Sequence, residues 1–143
     1  MKSRTRSRNL LLVCASLFVG FSAAHLIDEF LHGAPAEFHL SEPATEILSL
    51  IFVGALTGLV VLAARGSRSS HLGLAVIGWL IAAADLVKHV PEMAQAGTWR
   101  SGLVSEFLAV GLTLSAALTG ALAFGRWRQV EETTTSDGGQ HDV

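Results

Sequence analysis

Cysteine and charged residues are both scarce in this chain of 143 residues. Its single cysteine, Cys14, can form neither an internal disulfide nor a CxxC pair. This excludes a disulfide-stabilised scaffold and a membrane oxidoreductase that shuttles disulfides. Only 15% of the residues are charged, against about 25% in soluble domains, which excludes a soluble enzyme. The chain also lacks P-loop, GxSxG and HExxH motifs, which argues against ATP-driven or hydrolytic chemistry.

The chain contains four long apolar segments instead. Half of its residues are hydrophobic, and the mean hydropathy is +0.49. Each apolar segment has roughly 18 to 24 residues, close to the ~20 that a helix needs to cross a bilayer. We therefore predict an all-α, polytopic four-helix membrane bundle rather than a coiled coil. The predicted spans are 9–32, 43–64, 71–90 and 102–124.

The positively charged residues fall mostly on one side of the predicted spans. Eight of the 10 lysines and arginines precede the first span, join the second to the third, or follow the fourth. Because cytoplasmic segments carry the excess of positive charge, we expect both termini of a multi-pass cell-membrane protein to be cytoplasmic. The basic start also resembles a signal peptide ending near Ala24, but we expect it to be retained as a helix. Residues 130–143 are polar, which predicts a disordered cytoplasmic tail.

The two halves of the chain resemble each other. An offset of 60 residues places Glu46 opposite Glu106, and a shift of two more residues aligns the ALTG sequence at 55–58 with ALTG at 117–120. This pattern predicts two tandem helical hairpins, at 9–66 and 67–129, after a basic segment at 1–8. Since each hairpin would start in the cytoplasm, the repeats would be parallel and related by an axis along the membrane normal.

Ionisable residues concentrate towards the non-cytoplasmic ends of the spans. Four of them in the first span are spaced i, i+3, i+4 and i+7, so they share one helix face, and four at the end of the third span and just beyond it repeat that spacing. These residues are His25, Asp28, Glu29 and His32 in the first set and Asp85, Lys88, His89 and Glu92 in the second. A charge near the bilayer centre costs ~2.5–3.5 kcal/mol or more. We therefore expect both faces to turn inward, line an outward-facing polar pocket and form an Asp28–Lys88 salt bridge.

Two imidazoles and four carboxylates are the residues that we expect to lie deepest in this pocket. They are His25, Glu29, Glu46, Asp85, His89 and Glu106. The same ligand types build di-iron and di-manganese sites in four-helix proteins. The donor set therefore predicts a metal site, mononuclear or dinuclear, for iron, zinc, manganese or copper(II). A haem b with His25 and His89 as axial ligands is a weaker interpretation, because neutral haem iron does not need four carboxylates nearby.

Two further functions remain open at the level of the sequence. The chain could be an accessory or assembly subunit of a larger membrane complex, with the polar residues forming a structural network. It could also be a proton- or cation-linked carrier or sensor, because intramembrane acids and histidines act as relay groups. The predicted partners are membrane lipid and either other membrane subunits or further copies of the chain, and not nucleic acid. The sequence identifies no catalytic residues and leaves open whether the protein is an enzyme.

Overall fold

The computed structural model of this protein is all-helical, and it describes residues 2–32, 39, 41–94 and 102–137. Within those residues the chain forms four helices. They are α1 (Lys2–Leu31), α2 (Glu42–Ala64), α3 (Arg68–Ala94) and α4 (Leu103–Asp137). Each is long and apolar enough to cross a membrane. The predicted all-α fold with four helices suited to crossing a membrane is confirmed and is consistent with a multi-pass membrane protein, whereas the tandem repeat and the side of the termini stay predictions.

Residues at the ends of α2 and within α3 show how the sequence sets the helix boundaries. The Ser41 hydroxyl caps α2 by accepting a hydrogen bond from the backbone N–H of Ala44 at 3.4 Å, as serine commonly does. Gly66 has a φ of +86° and donates to Ala63 O, while Ser67 N donates to Leu62 O. This Schellman turn needs a residue without Cβ, and it reverses the chain between α2 and α3. Proline usually ends a helix, yet α3 continues through Pro91 to Ala94.

The four helices pack as a ring in the order of the sequence. The largest contacts join α3 to α4 and α4 to α1, whereas α2 makes smaller contacts with α1 and α3. Helices α1 and α3 therefore face each other across the bundle. Small residues bring α3 and α4 together, since a Cβ on Gly78 would lie only 2.6 Å from Ala116 O. The apolar core is formed mainly by Leu11, Phe18, Leu56, Leu74 and Leu112.

The last helix is longer than the span predicted from hydropathy. Its apolar part suited to crossing a membrane is Leu103–Gln129, but the helix continues to Asp137. It therefore includes the first part of the segment 130–143, which was expected to be disordered. Residues 138–143 lie outside the residues that the structure describes.

Candidate metal centre

The candidate site lies in the bundle interior, where α1 meets α3. His25 and Glu29 are four residues apart on α1, and Asp85 and His89 are four residues apart on α3, so each pair shares a helix face. His25, Asp85 and His89 are buried, with 8%, 8% and 5% of their surfaces exposed. One ligand atom from each of these three residues lies within 4.8 Å of the other two. The expected convergence of the two polar faces is confirmed for these three residues.

The two imidazoles are directed at a single oxygen of the carboxylate. The Oδ1 atom of Asp85 lies 3.3 Å from Nε2 of His89 and 3.8 Å from Nε2 of His25. Both separations exceed the 2.7–3.2 Å typical of an N–H···O hydrogen bond. Ligands placed 2.0–2.2 Å from a tetrahedral metal are separated from one another by roughly 3.3–3.6 Å. The separation between Asp85 and His89 falls in this range, and the separation between Asp85 and His25 is slightly longer. The three residues are therefore close enough together to hold one metal ion after a small adjustment of His25.

The two imidazole rings are in direct contact with each other. Their centroids are 5.3 Å apart and their planes are inclined at 80°, which is an edge-to-face arrangement. A haem held by two axial histidines has its flat macrocycle between the rings. The contact between His25 and His89 leaves no space for that plane, so the geometry disfavours a haem and favours a single ion.

A hydroxyl from α4 fixes the orientation of the central carboxylate. Thr113 donates a hydrogen bond to Oδ2 of Asp85, which directs Oδ1 towards the two histidines. Residues that hydrogen-bond a metal ligand orient it and tune its affinity. Thr113 was not among the predicted site residues, because hydroxyl residues recur throughout the apolar spans and none of them stands out in the sequence. Only the register between α3 and α4 shows that the Thr113 hydroxyl faces Asp85.

Glu29 lies at the edge of the group. Its Oε1 atom is 3.9 Å from Nε2 of His25, and its Oε2 atom is 2.6 Å from Nζ of Lys88. The salt bridge between α1 and α3 therefore joins Lys88 to Glu29 and not, as expected, to Asp28. The two carboxylates are adjacent in sequence, so they project about 100° apart around the helix. Only Glu29 lies on the side that meets α3.

Asp28 belongs to a separate polar contact between α1 and α4. It is buried and accepts a hydrogen bond from the Ser105 hydroxyl. His32 Nδ1 is 2.7 Å from the Asp28 carbonyl oxygen and 3.4 Å from its Oδ1. Asp28 and His32 are therefore held away from the centre formed by His25, Asp85 and His89. The side chain of Glu92 lies outside the part of the chain that the structure describes.

The other two predicted ligands are not brought to the same place. Glu46 is exposed on α2, where it lines a groove against α1. Glu106 is partly buried in the first turn of α4. Neither belongs to the His25–Asp85–His89 group, the one cluster of three such ligands among the described residues. The alignment of the halves placed these glutamates at matching positions, but α2 packs less extensively than α4, and Glu46 stays exposed while Glu106 is partly buried.

The opposite half of the bundle has a different character. His71 is buried there, and its Nδ1 lies 2.7 Å from the carbonyl oxygen of Ser67 in the preceding turn. The side chains around the bundle axis in this half are mainly apolar, as for Leu11 and Leu74. The acidic and histidine side chains that converge are therefore confined to one half of the bundle. No protein-family model, curated protein or solved structure matches this chain.

Proposed function

We propose that this integral membrane protein binds one metal ion between α1 and α3, with His25, Asp85 and His89 as its ligands. The observation that carries the proposal is the convergence of two buried imidazole nitrogens on one carboxylate oxygen, at 3.3 and 3.8 Å. Imidazole nitrogens and carboxylate oxygens are common ligands of divalent metal ions. A shared cation satisfies all three at once, which supports the proposal.

The donor set favours a divalent ion of borderline character. Two histidines and one carboxylate are the ligands of many catalytic zinc sites and of non-haem iron(II) sites, both of which keep a coordination position open. Asp85 and Glu29 together supply two negative charges, one of which Lys88 offsets while it holds Glu29. Glu29 is close enough to His25 to complete the site if it exchanges its salt bridge with Lys88 for the metal. A second ion would need Glu46 and Glu106, so we propose a mononuclear centre.

We further propose that the site opens on the non-cytoplasmic side. The start of α1, the turn from α2 to α3 and the end of α4 carry Arg6, Arg65, Arg68 and Arg126. Positive charge of this kind is retained in the cytoplasm. Since His25, Asp85 and His89 lie towards the other ends of their helices, the metal would be exchanged with the outer compartment.

Metal analysis of the purified chain tests the proposal. We expect about one divalent ion per chain in mild detergent by mass spectrometry, because structural ligands of this type bind tightly at neutral pH. His25→Ala and His89→Ala should each lose the ion, whereas His71→Ala, which removes a buried histidine from the opposite half, should retain it. Cobalt(II) absorption in the visible range provides a second readout, because its intensity reports the coordination number.

A structural network is the second candidate, and specific contacts favour it. Lys88–Glu29, Thr113–Asp85 and Ser105–Asp28 each join two helices, as expected in a subunit whose polar residues hold the bundle together. The same measurements separate the two functions. A metal content near zero in native protein, with no cobalt spectrum on titration, would contradict the metal site and leave the network as the role of these side chains.

A further inference from the structure

A cavity lies directly beside the candidate metal centre. Its volume is about 330 Å³, and it is lined mainly by α1, α2 and α3, with Leu112 of α4. His25 and Asp85 form part of its wall, together with Ser22, Ser49 and Lys88. Pockets for small molecules usually measure about 300–1,000 Å³ and combine apolar walls with a few polar groups. This cavity has the size and the lining of a small ligand site.

A groove lies next to the cavity, on the outer side of α1 and α2. It runs between α1 and α2, has a volume of about 420 Å³, and is lined mainly by apolar side chains. Leu26, Phe30 and Ser49 line both the groove and the cavity. Only these side chains separate the groove from the cavity beside the candidate metal centre, so a molecule dissolved in the membrane would enter by displacing them.

The inner end of the cavity favours a ligand with a polar head. Ser22 is 2% exposed, and its hydroxyl has no hydrogen-bond partner among the described residues. An acyl chain would leave this buried hydroxyl unpaired, which is unfavourable. A carbonyl oxygen would accept a hydrogen bond from the Ser22 hydroxyl. Ser49 and the remaining N–H groups of Lys88 offer further hydrogen-bond donors. The apolar groove then accommodates a hydrocarbon tail.

We propose that the cavity binds the head group of a membrane quinone, which enters between α1 and α2. A quinone has two carbonyl oxygens, which would accept hydrogen bonds from the donors of the cavity. Its flat apolar ring would lie against the apolar walls, and its lipid-soluble tail would lie in the groove. The inference rests on the proposed function for one point only, that the neighbouring side chains hold a metal. A quinone bound in the cavity would lie next to that metal.

Photolabelling of the purified full chain with an azidoquinone that carries a decyl tail tests the inference. We expect labelled peptides from α1 and α2, and competition by excess decylquinone but not by an alkane of equal length. Ser49→Trp, which fills the junction of groove and cavity, should reduce the labelling at least about tenfold. Leu118→Trp, on a lipid-facing position of α4 with 54% exposure, should leave it unchanged.

A conservative variant covers the case in which Ser49→Trp does not fold. Ser22→Ala removes one hydrogen-bond donor and should weaken quinone binding by about three- to tenfold, with unchanged helicity by circular dichroism. Equal labelling of all variants, or competition by the alkane, would overturn the inference and identify the groove as an acyl-chain site. Metal content is measured on the same samples. Metal without quinone labelling contradicts this inference alone, and quinone labelling without metal contradicts the proposed function alone.

Discussion

Helices α2 and α4 occupy matching positions in the predicted repeat, but they differ in how they pack. On α4, Gly111 contacts Phe21 and Gly120 contacts Trp79, so a side chain at either glycine would collide with a neighbour. On α2, a Cβ added to Gly54 or Gly58 would meet nothing within 4 Å. The ALTG sequence is common to both helices, so this motif does not determine whether its glycine packs. The partner helix determines it.

The difference in packing separates two roles around the candidate metal centre. Helix α4 is wedged between α1 and α3 and supplies Thr113 to Asp85 and Ser105 to Asp28. Among the described residues, helix α2 supplies no member of the His25–Asp85–His89 group, but it forms one wall of the cavity and the groove. We infer that α4 holds the site in shape and that α2 controls access to it.

The difference in packing between α2 and α4 should have its largest effect on the stability of glycine variants at their contacts. At Gly78, the α3 residue that faces α4, a methyl group would lie 2.6 Å from Ala116 O and 3.0 Å from Gly120 N. Because these backbone atoms cannot move away without distorting α4, Gly78→Ala should destabilise the protein by about 1–3 kcal/mol. Gly58→Ala on α2 should stay within about 0.5 kcal/mol of the native protein. Unfolding in detergent by circular dichroism measures both, and equal losses would show that α2 packs as tightly as α4.

A matched pair of threonines tests which helix supports the metal ligands. Thr113→Val on α4 removes the hydrogen bond to Asp85 with little change in shape. We expect the metal affinity to fall by about 10- to 100-fold, the usual effect of losing a group that orients a ligand. Thr57→Val on α2 removes a hydroxyl that donates only to Val53 O in its own helix, so it should leave the affinity unchanged. Cobalt titration followed by absorption compares the two. An unchanged affinity in Thr113→Val would contradict the role of α4.

A smaller effect is expected at the salt bridge between α1 and α3. Lys88 places a positive charge next to the candidate site and holds Glu29 at 2.6 Å. Lys88→Met should tighten the binding of a divalent ion by about three- to tenfold, because it removes a repulsive charge that is partly screened by solvent. Isothermal titration with zinc measures the change. Weaker binding would show instead that Lys88 positions Glu29 as a ligand.

The sequence predicted those parts of the structure that depend on a single helix. Hydropathy and length predicted four spans, and the i, i+4 spacing placed His25 with Glu29 and Asp85 with His89 on inward faces. Properties that depend on the rotation and depth of two helices could not be predicted. The hydroxyl partner of Asp85, Thr113, is one of them. The choice of Glu29 over Asp28 as the partner of Lys88 is another, since it follows from an angle of about 100° on one helix.

The two matching glutamates give the smallest expected effect and the sharpest test of the packing difference. Glu46 is exposed on α2 and Glu106 is partly buried at the start of α4, and neither lies in the metal group. Because neither carboxylate is a ligand, and solvent screens the exposed charge of Glu46 in particular, Glu46→Gln and Glu106→Gln should each change zinc affinity by no more than about twofold. Glu29→Gln, measured in parallel, should weaken it more. If Glu46→Gln instead abolished binding, α2 would have to move inward and close over the ion. Helix α2 would then belong to the centre itself, and the groove between α1 and α2 could not remain open while the metal is bound.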